Sequence, residues 1–335
     1  MANIYDIAKA AEVSKSTVSR VINDKPGVSD EKRKIVLKVI DEFNYKPNSA
    51  ARTLGLKRTN TIGVLVNDLS DTFYSAYVRM IDRIFTNKFH YGALYCTTNK
   101  STPTKVNYLK QLNKMVDGYM FLGEEVITKD ELKTLKKDNE PFVGIGTNID
   151  FEKGTMLDIN NFGASYDLVK YLIDLGHKNI LYVASEIHRT EFSERFMGYQ
   201  KALLENDLPY QDYFTTDFSI EKSYKLAKKI NLSIKENDIT AIVCFNDMAA
   251  CGVMDGLIDL GYQIPNDISV VGFDNYKGHM KIKNKLPKLT TMEQPNKEMA
   301  SYGVKALYDQ IVNNKNTDSK IFKCKLIKGS STKKL

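Results

Sequence analysis

The stretch VSKSTVSRVIND, Val13–Asp24, carries two kinds of residue on two periods. Val18, Val21 and Ile22 recur as a buried helix stripe does, whereas Lys15, Ser16, Ser19, Arg20 and Asn23 fall at i, i+1, i+4, i+5 and i+8 on the opposite side. A short helix with a dry back and a donor-rich front is built to lie between a small core and something that accepts hydrogen bonds. Ser14 stands where its N-cap belongs. Working outward, Ile4, Ile7, Ala8 and Ala11 predict a preceding helix that breaks at Glu12-Val13. Ser29, followed by Asp30 and Glu31, starts a third, with Ile35, Val36, Val39, Ile40 and Phe43 on its inner side. Such an arrangement is a helix-turn-helix. Its second helix suits the DNA major groove, where base edges offer N7 and O6 acceptors to long donors.

A plain three-helix bundle with a polar surface is the competing reading, and charge speaks against it. The 335 residues carry a formal net charge of +7, but residues 1–60 hold 12 Lys and Arg against 7 Asp and Glu, while the other 275 hold 36 against 34. A basic module on a near-neutral body suggests a polyanion for the module and another task for the body. With 42% hydrophobic residues at this length, two or three domains with substantial cores are expected. No run approaches the roughly 18 apolar residues of a membrane span. Asp6, Lys9 and Glu12 interrupt any secretory apolar core, so a cytoplasmic protein without membrane contact is expected. Cys96, Cys244, Cys251 and Cys324 form no C-x-x-C pair and have no nearby histidine at zinc-ligand spacing, which predicts buried free thiols and no metal.

YDIAKAAEVSKSTVSRVIND, followed by VSDEKRKIVLKVIDEFNYKPNSAARTLGLKRTNTIGV, resembles the N-terminus of the lactose repressor (LacI/GalR) family of bacterial transcription regulators. That family usually shows V-S-x-x-T-V-S-R-V-L-N and then Y-x-P-N-x-x-A-R-x-L, and both motifs match in order and in register. The resemblance implies base reading by Lys15, Ser16 and Arg20, and phosphate contacts from Tyr5, Thr17, Asn23, Ser29 and Tyr45. It also implies a DNA-binding hinge containing Asn48, with Leu54 wedged into a minor-groove step. Asn48–Leu54 is rich in helix formers but short, and isolated helices under roughly 12 residues are marginal in water, so it should order only when docked. Where the family commonly has Gly this chain has Glu12, in a turn that often needs positive φ, so a strain of about 1 kcal/mol is expected there.

From Thr61 onward, short β-branched runs alternate with amphipathic helices. TIGVLV, ALYC, GYMF, FVGI, ILYV, AIVC and ISVVG predict buried parallel strands, too many for one compact sheet, hence two doubly wound α/β lobes. Ligands of open parallel sheets sit beyond the carboxyl ends of the strands, which singles out Asn67, Asp68 and Ser70, Asn148, Asn160 and Asn161, Glu186, Asn246 and Asp247, and Asp274. Amides and carboxylates dominate, as a polyhydroxyl ligand requires.

IGVLVNDLSDTFY, KMVDGYMF, SERFMGYQKAL, CFNDMAACGV, ISVVGFDN and LTTMEQP resemble segments of the same family. They imply a periplasmic-binding-protein-like effector domain whose two lobes are joined by three crossings. Matching positions put polar clamps at Arg195, Asn246 and Asp274, aromatic walls at Phe73, Tyr74 and Phe218, and Gln294 near a crossing. Ser70 and Asn160 complete the expected effector set. Many members have V-D-N where this chain has Ile159-Asn160-Asn161, so a carboxylate contact to the effector is lost or moved.

His90, His177, His188 and His279 show no spacing for catalysis or metal, and neither G-x-S-x-G nor a P-loop frame occurs, so no enzyme and no cofactor are expected. The expected organisation is a helix-turn-helix domain at 1–46, a hinge at 47–58, a first lobe at 59–160 and 291–321, and a second lobe at 161–290 and 322–335. The expected function is a repressor of a carbohydrate-use operon, controlled by a small sugar or sugar-derived effector. Two alternatives stand beside it: a body that answers to a protein partner such as a phosphocarrier, and a sugar-binding or sugar-metabolising enzyme fused to a helix-turn-helix. The last would need an acid, base or nucleophile set that does not appear. Operator half-sites one DNA turn apart predict a homodimer, and FKCKLIKGSSTKKL carries no leucine heptad that would make a tetramer.

Overall fold

The structure is a computed structural model that describes residues 2–22, 24–45, 58–69, 72–98, 105–124, 126–149, 154–187, 189–210, 213–278 and 281–335. Expectations for Asn23, for Asn48 and Leu54 in the hinge, and for Ser70 lie outside these residues. The chain divides into two compact units, Met1–Thr59 and Asn60–Leu335.

Among the described residues three helices make up the first unit: α1 (Ile4–Ala10), α2 (Lys15–Ile22) and α3 (Asp30–Glu42). Caps decide where they begin. The Asn3 side chain accepts from the Tyr5 and Asp6 N–H groups while the Asp6 carboxylate accepts from the Asn3 N–H. Ser14 Oγ accepts from Thr17 N at 3.1 Å, and Ser29 Oγ accepts from Lys32 N. Glu12 adopts φ +50°, the left-handed conformation in which glycine is at ease, so the strain anticipated in this turn is present. Ile7, Val18 and Val36 are fully buried at the centre. Ile35 and Phe43, expected on the inner side of α3, are 45% and 46% exposed. Seven- and eight-residue neighbours cover only the middle of a 13-residue helix, so the buried stripe narrows to Val36 and Val39, with Ile40 half-buried.

The second unit holds two six-stranded sheets. The first contains β1 (Thr61–Val66), β2 (Gly92–Thr97), β3 (Tyr119–Leu122), β4 (Phe142–Ile145), β5 (Thr155–Ile159) and β11 (Lys320–Phe322), in the order β11-β5-β4-β3-β1-β2. The second contains β6 (Ile180–Ser185), β7 (Phe214–Thr216), β8 (Ala241–Cys244), β9 (Ser269–Asp274), β10 (Thr290–Glu293) and β12 (Lys325–Ile327), in the order β12-β10-β9-β8-β6-β7. Every pairing is parallel except β10 with β12. Helices α4 (Thr72–Ile84), α5 (Lys105–Leu112), α6 (Lys129–Lys137), α7 (Asn161–Asp174), α8 (Thr190–Glu205), α9 (Ile220–Glu236), α10 (Asp247–Asp259) and α11 (Asn296–Asn313) make the connections and cover the sheets. Such crossovers explain why strands like β1 are apolar throughout: in a parallel sheet both faces are buried.

The chain passes between the sheets three times, after β5, after β10 and after β11. Residues 291–321 were expected in the first lobe, yet Thr291 pairs with Gly272 and Ile327 in the second sheet; Phe322, expected in the second, pairs with Ile159 in the first. Each strand keeps its ladder to the end before crossing, because an unpaired buried peptide group is costly. All four cysteines are free thiols; Cys244 and Cys251 are buried, Cys96 and Cys324 half-buried. Among the described residues no helix is long and apolar enough to cross a membrane.

Candidate functional site

In the first unit Lys15, Ser16 and Arg20 are exposed along α2, opposite buried Val18 and Val21. Lys15 Nζ donates to Tyr5 Oη at 3.0 Å and lies 4.5 Å from the centre of its ring, so the two side chains stand on the surface as one unit. Ser14 Oγ shares hydrogen bonds with Ser16 Oγ at 2.7 Å and Thr17 Oγ1 at 2.8 Å. Ser29 is committed to its cap, and Tyr45 packs, half-buried, on the three-helix core. Arg33 has no part in the sequence reading but holds the following loop, donating to Asp24 Oδ1 at 2.6 Å and to the Lys25 carbonyl at 3.0 Å. The result is a rigid two-helix corner with a row of donors outward.

In the second unit the carboxyl ends of both sheets border one cavity of about 860 Å³, counting its open mouth. Phe73 and Tyr74 enter after β1, Gly123 after β3, Gly146 after β4 and Asp158 from the end of β5. From the other sheet come Arg189 after β6, Phe218 after β7, Asn246 after β8, Asp274 at the end of β9 and Gln294 after β10. Both sheets reverse their strand order at their first strands, β1 and β6, which is where an open α/β sheet leaves a crevice.

Arg195 is 3% exposed and tightly held. Its Nε donates to Asn161 Oδ1 at 2.9 Å, its NH1 donates to the Phe245 carbonyl at 2.8 Å and lies 3.6 Å from Asp274 Oδ1, and its guanidinium stacks 3.7 Å from the Phe273 ring centre. Gly198 makes this reach possible. A Cβ there would run into the Phe162 carbonyl, so only glycine lets α8 approach α7 closely enough for Arg195 to meet Asn161. Asp274 sits at φ +110°, a conformation costing about 1–3 kcal/mol in a residue with a side chain, and Gln294 Nε2 donates to its Oδ1 at 2.6 Å. Asn246 caps α10, its Oδ1 accepting from Ala249 N at 2.9 Å while the residue lines the cavity. Asp247, singled out beside Asn246 as a candidate ligand residue, is a buried tie, accepting from Thr291 Oγ1 at 2.6 Å and Tyr276 N at 2.7 Å. Burial, with Asp274 beside it, pushes its carboxyl up to about 8.

Aromatic rings complete the walls. Phe192, Phe218 and Phe245 cluster with centres 5.1–5.7 Å apart, and Phe73 meets Tyr74 edge-on at 5.5 Å. Asn160 does not line the cavity: its side chain caps α7, accepting from Gly163 N at 2.7 Å, and the next residue, Asn161, faces inward. Sequence reasoning missed Asp158, Arg189 and Glu191. Arg189 lies 3.5 Å from Glu191 and donates to Tyr74 Oη at 3.4 Å. Burial raises Glu191 against the pull of Arg195 and Arg189, and raises Asp158 to about 6, with Glu191 and Glu194 adding to the shift. Strand alternation was the available signal, since Leu157 and Ile159 point to the core and the residue between them points elsewhere.

A helix-turn-helix ahead of two crossed α/β lobes with a cavity at their strand ends defines a class: DNA-binding regulators built on a periplasmic-binding-protein-like domain. Residues 3–48 match the family model for bacterial regulatory proteins of the lacI family, and residues 169–332 the model for a periplasmic binding protein-like domain. Catabolite control protein A of Priestia megaterium is 33% identical over 322 residues, 95% of each chain. The HTH-type transcriptional repressor PurR of Vibrio campbellii is 30% identical over 314 residues, 93% of this chain and 92% of that one. The chain belongs to the lacI family; it is a transcription regulator and not an enzyme. The lac repressor dimer bound to operator and the anti-inducer ONPF shares the fold over 99% of both chains, with a TM-score of 0.84 at 23% identity. A LacI family regulator from Enterococcus faecium with bound ribose matches 82% of this chain and 99% of that one, with a TM-score of 0.68 at 27% identity.

Proposed function

We propose that the chain represses a carbohydrate-use operon in the cytoplasm, binding operator DNA as a homodimer through residues 1–46 and the hinge at 47–58. A small sugar or sugar-derived effector held between the lobes controls it. The carrying observation is the cavity, which combines the aromatic faces of Phe73, Tyr74 and Phe218 with the fixed polar groups of Arg195, Asn246, Asp274 and Gln294. Stacking surfaces beside paired donors and acceptors are what a polyhydroxyl ligand needs. Ribose in the Enterococcus faecium relative supports this reading. So developed a cavity also favours a small molecule over control by a protein partner alone.

On the DNA side, Lys15, Ser16 and Arg20 read base edges, Tyr5, Thr17, Asn23, Ser29 and Tyr45 hold phosphates, and Asn48 and Leu54 act from the hinge in the minor groove. The test uses duplexes tiled across the region upstream of the chain's own gene, titrated by fluorescence anisotropy with and without a panel of mono- and disaccharides, alongside melting temperatures with the same sugars. At least one sugar is expected to raise the melting temperature and change affinity for one duplex. A panel that moves neither quantity refutes the effector reading; equal affinity for all duplexes refutes the operator reading.

A further inference from the structure

The ionic balance of the cavity specifies its ligand more narrowly, an inference that rests on the effector reading above. The lining contains three carboxylates, Asp158, Glu191 and Asp274, but two guanidinium groups, Arg189 and Arg195. Arg195 serves Asp274 at 3.6 Å and Arg189 serves Glu191 at 3.5 Å. Asp158 has no Lys or Arg partner among the described residues; it accepts from the main-chain N–H groups of Ile159, at 2.8 Å, and Asn148. Two neutral groups stand with it. Tyr77, 4% exposed, and Asn296 line the same cavity, and the buried Tyr77 Oη and Asn296 Oδ1 have no hydrogen-bond partner among the described residues. Tyr77 lies within electrostatic reach of Asp158 without bonding to it.

A buried anion without a counter-ion, and buried polar atoms without partners, each cost free energy that a complementary ligand recovers. What this cavity lacks is one positive charge and a set of donors. A phosphate or carboxylate ligand would add negative charge to an excess already there, and a hydroxyl supplies a donor without the charge. An ammonium group supplies three donors, a positive charge and no acceptor.

We propose that the effector is an amine-bearing polyol of the amino-sugar class, whose ammonium group is received by Asp158 beside Tyr77 while Arg195, Asn246 and Asp274 engage its hydroxyls. Asp158 is then the residue that separates an amino sugar from the parent sugar. Its raised pKa accords with this, since an ammonium beside it would draw the carboxyl back down.

The test is calorimetry at about pH 7 on the full chain and on Asp158→Asn, with three matched pairs: glucosamine and glucose, galactosamine and galactose, mannosamine and mannose. One amine is expected to bind at least about tenfold tighter than its hydroxyl twin, the scale of one charge-assisted hydrogen bond. Asp158→Asn, nearly the same shape, should bring that ratio within about twofold; the wild-type ratio alone decides the matter if the variant does not fold. A hydroxyl twin that binds as tightly as its amine overturns the proposal and leaves the sugar-effector reading standing. An amine preference that survives Asp158→Asn also overturns it. If no member of any pair binds, this proposal and the reading beneath it fall together.

Discussion

Replacing Glu124 by alanine should destabilise a helix to which Glu124 does not belong. Glu124 follows β3 in the first sheet, whereas α8 follows β6 in the second, and Arg189 at the α8 N-cap makes no side-chain cap bond. The Glu124 carboxylate takes that place from the opposite lobe. Its two oxygens accept from Thr190 N at 2.9 and 3.1 Å, and Oε1 also accepts from Asn148 Nδ2 at 3.0 Å. A charged acceptor at a helix N-terminus contributes about 1–2 kcal/mol. The Asn148 bond adds up to about 1 kcal/mol, and releasing a buried carboxylate from its desolvation offsets part of the sum. The net expectation is a loss of about 1–2.5 kcal/mol, or about 2–4 °C in melting temperature for a domain of this size. Glu124→Gln keeps an acceptor oxygen and should lose about half as much. Scanning calorimetry without ligand reads both variants. A Glu124→Ala melting temperature within about 1 °C of wild type would refute the reasoning, and so would a glutamine variant as damaged as the alanine one.

Arg195→Ala should weaken effector binding more than tenfold and cost about 2–4 kcal/mol of stability, because it removes the buried guanidinium from Asn161, the Phe245 carbonyl and half-buried Asp274; unchanged affinity by calorimetry sinks the first part, an unchanged melt the second. Glu12→Gly should stabilise the three-helix unit by up to about 1 kcal/mol by relieving the left-handed turn, read as a higher urea midpoint of that unit; an unchanged or lower midpoint counts against it. Asp158 titrates at about 6 in the folded chain, above its ordinary range near 4 when unfolded, and is faced by Glu191 and Glu194 of α8 and Tyr77 of α4. The folded state therefore holds an extra proton on Asp158 between about pH 4 and 6, so the Asp158 contribution to stability falls as pH rises through that window and is constant above it, while Asp247, raised to about 8, continues the decline. Asp158→Asn should flatten the fall in melting temperature across that window, and identical slopes for variant and wild type would refute the assignment.

Much of the fold was legible because buried parallel strands are written as unbroken apolar runs, and the seven read from sequence are strands β1, β2, β3, β4, β6, β8 and β9. The five that escaped are three to five residues long, and several lie at sheet edges where lysine and threonine are at home, as in KIF and KLI. Looking just past strand ends found Asn246, while the family motifs pointed to Arg195 and Gln294, which line the cavity with it. The same rule missed Asp158, which lies inside strand β5, and chose Asn160, which turns to cap its own helix. A carboxylate does line the cavity close by, at Asp158, two residues before Asn160. Contacts between distant segments left no local signal: nothing around Glu124 announces a partner at Thr190.

The three crossings also impose an order in time. Strands β1 to β5 and β6 to β9 are contiguous in the chain, but β10, β11 and β12, which close the open sides of β9 and β5, come from residues 290–327. At about 5–20 residues per second, a ribosome delivers β11 some 8–30 s after β5. Throughout that interval the growing chain carries an unpaired parallel edge at β5, and later a second at β9, each a template for another nascent chain on the same message. A message truncated between Asp274 and Thr290 therefore encodes two open-edged sheets rather than half a regulator, and its product is exposed to aggregation and proteolysis.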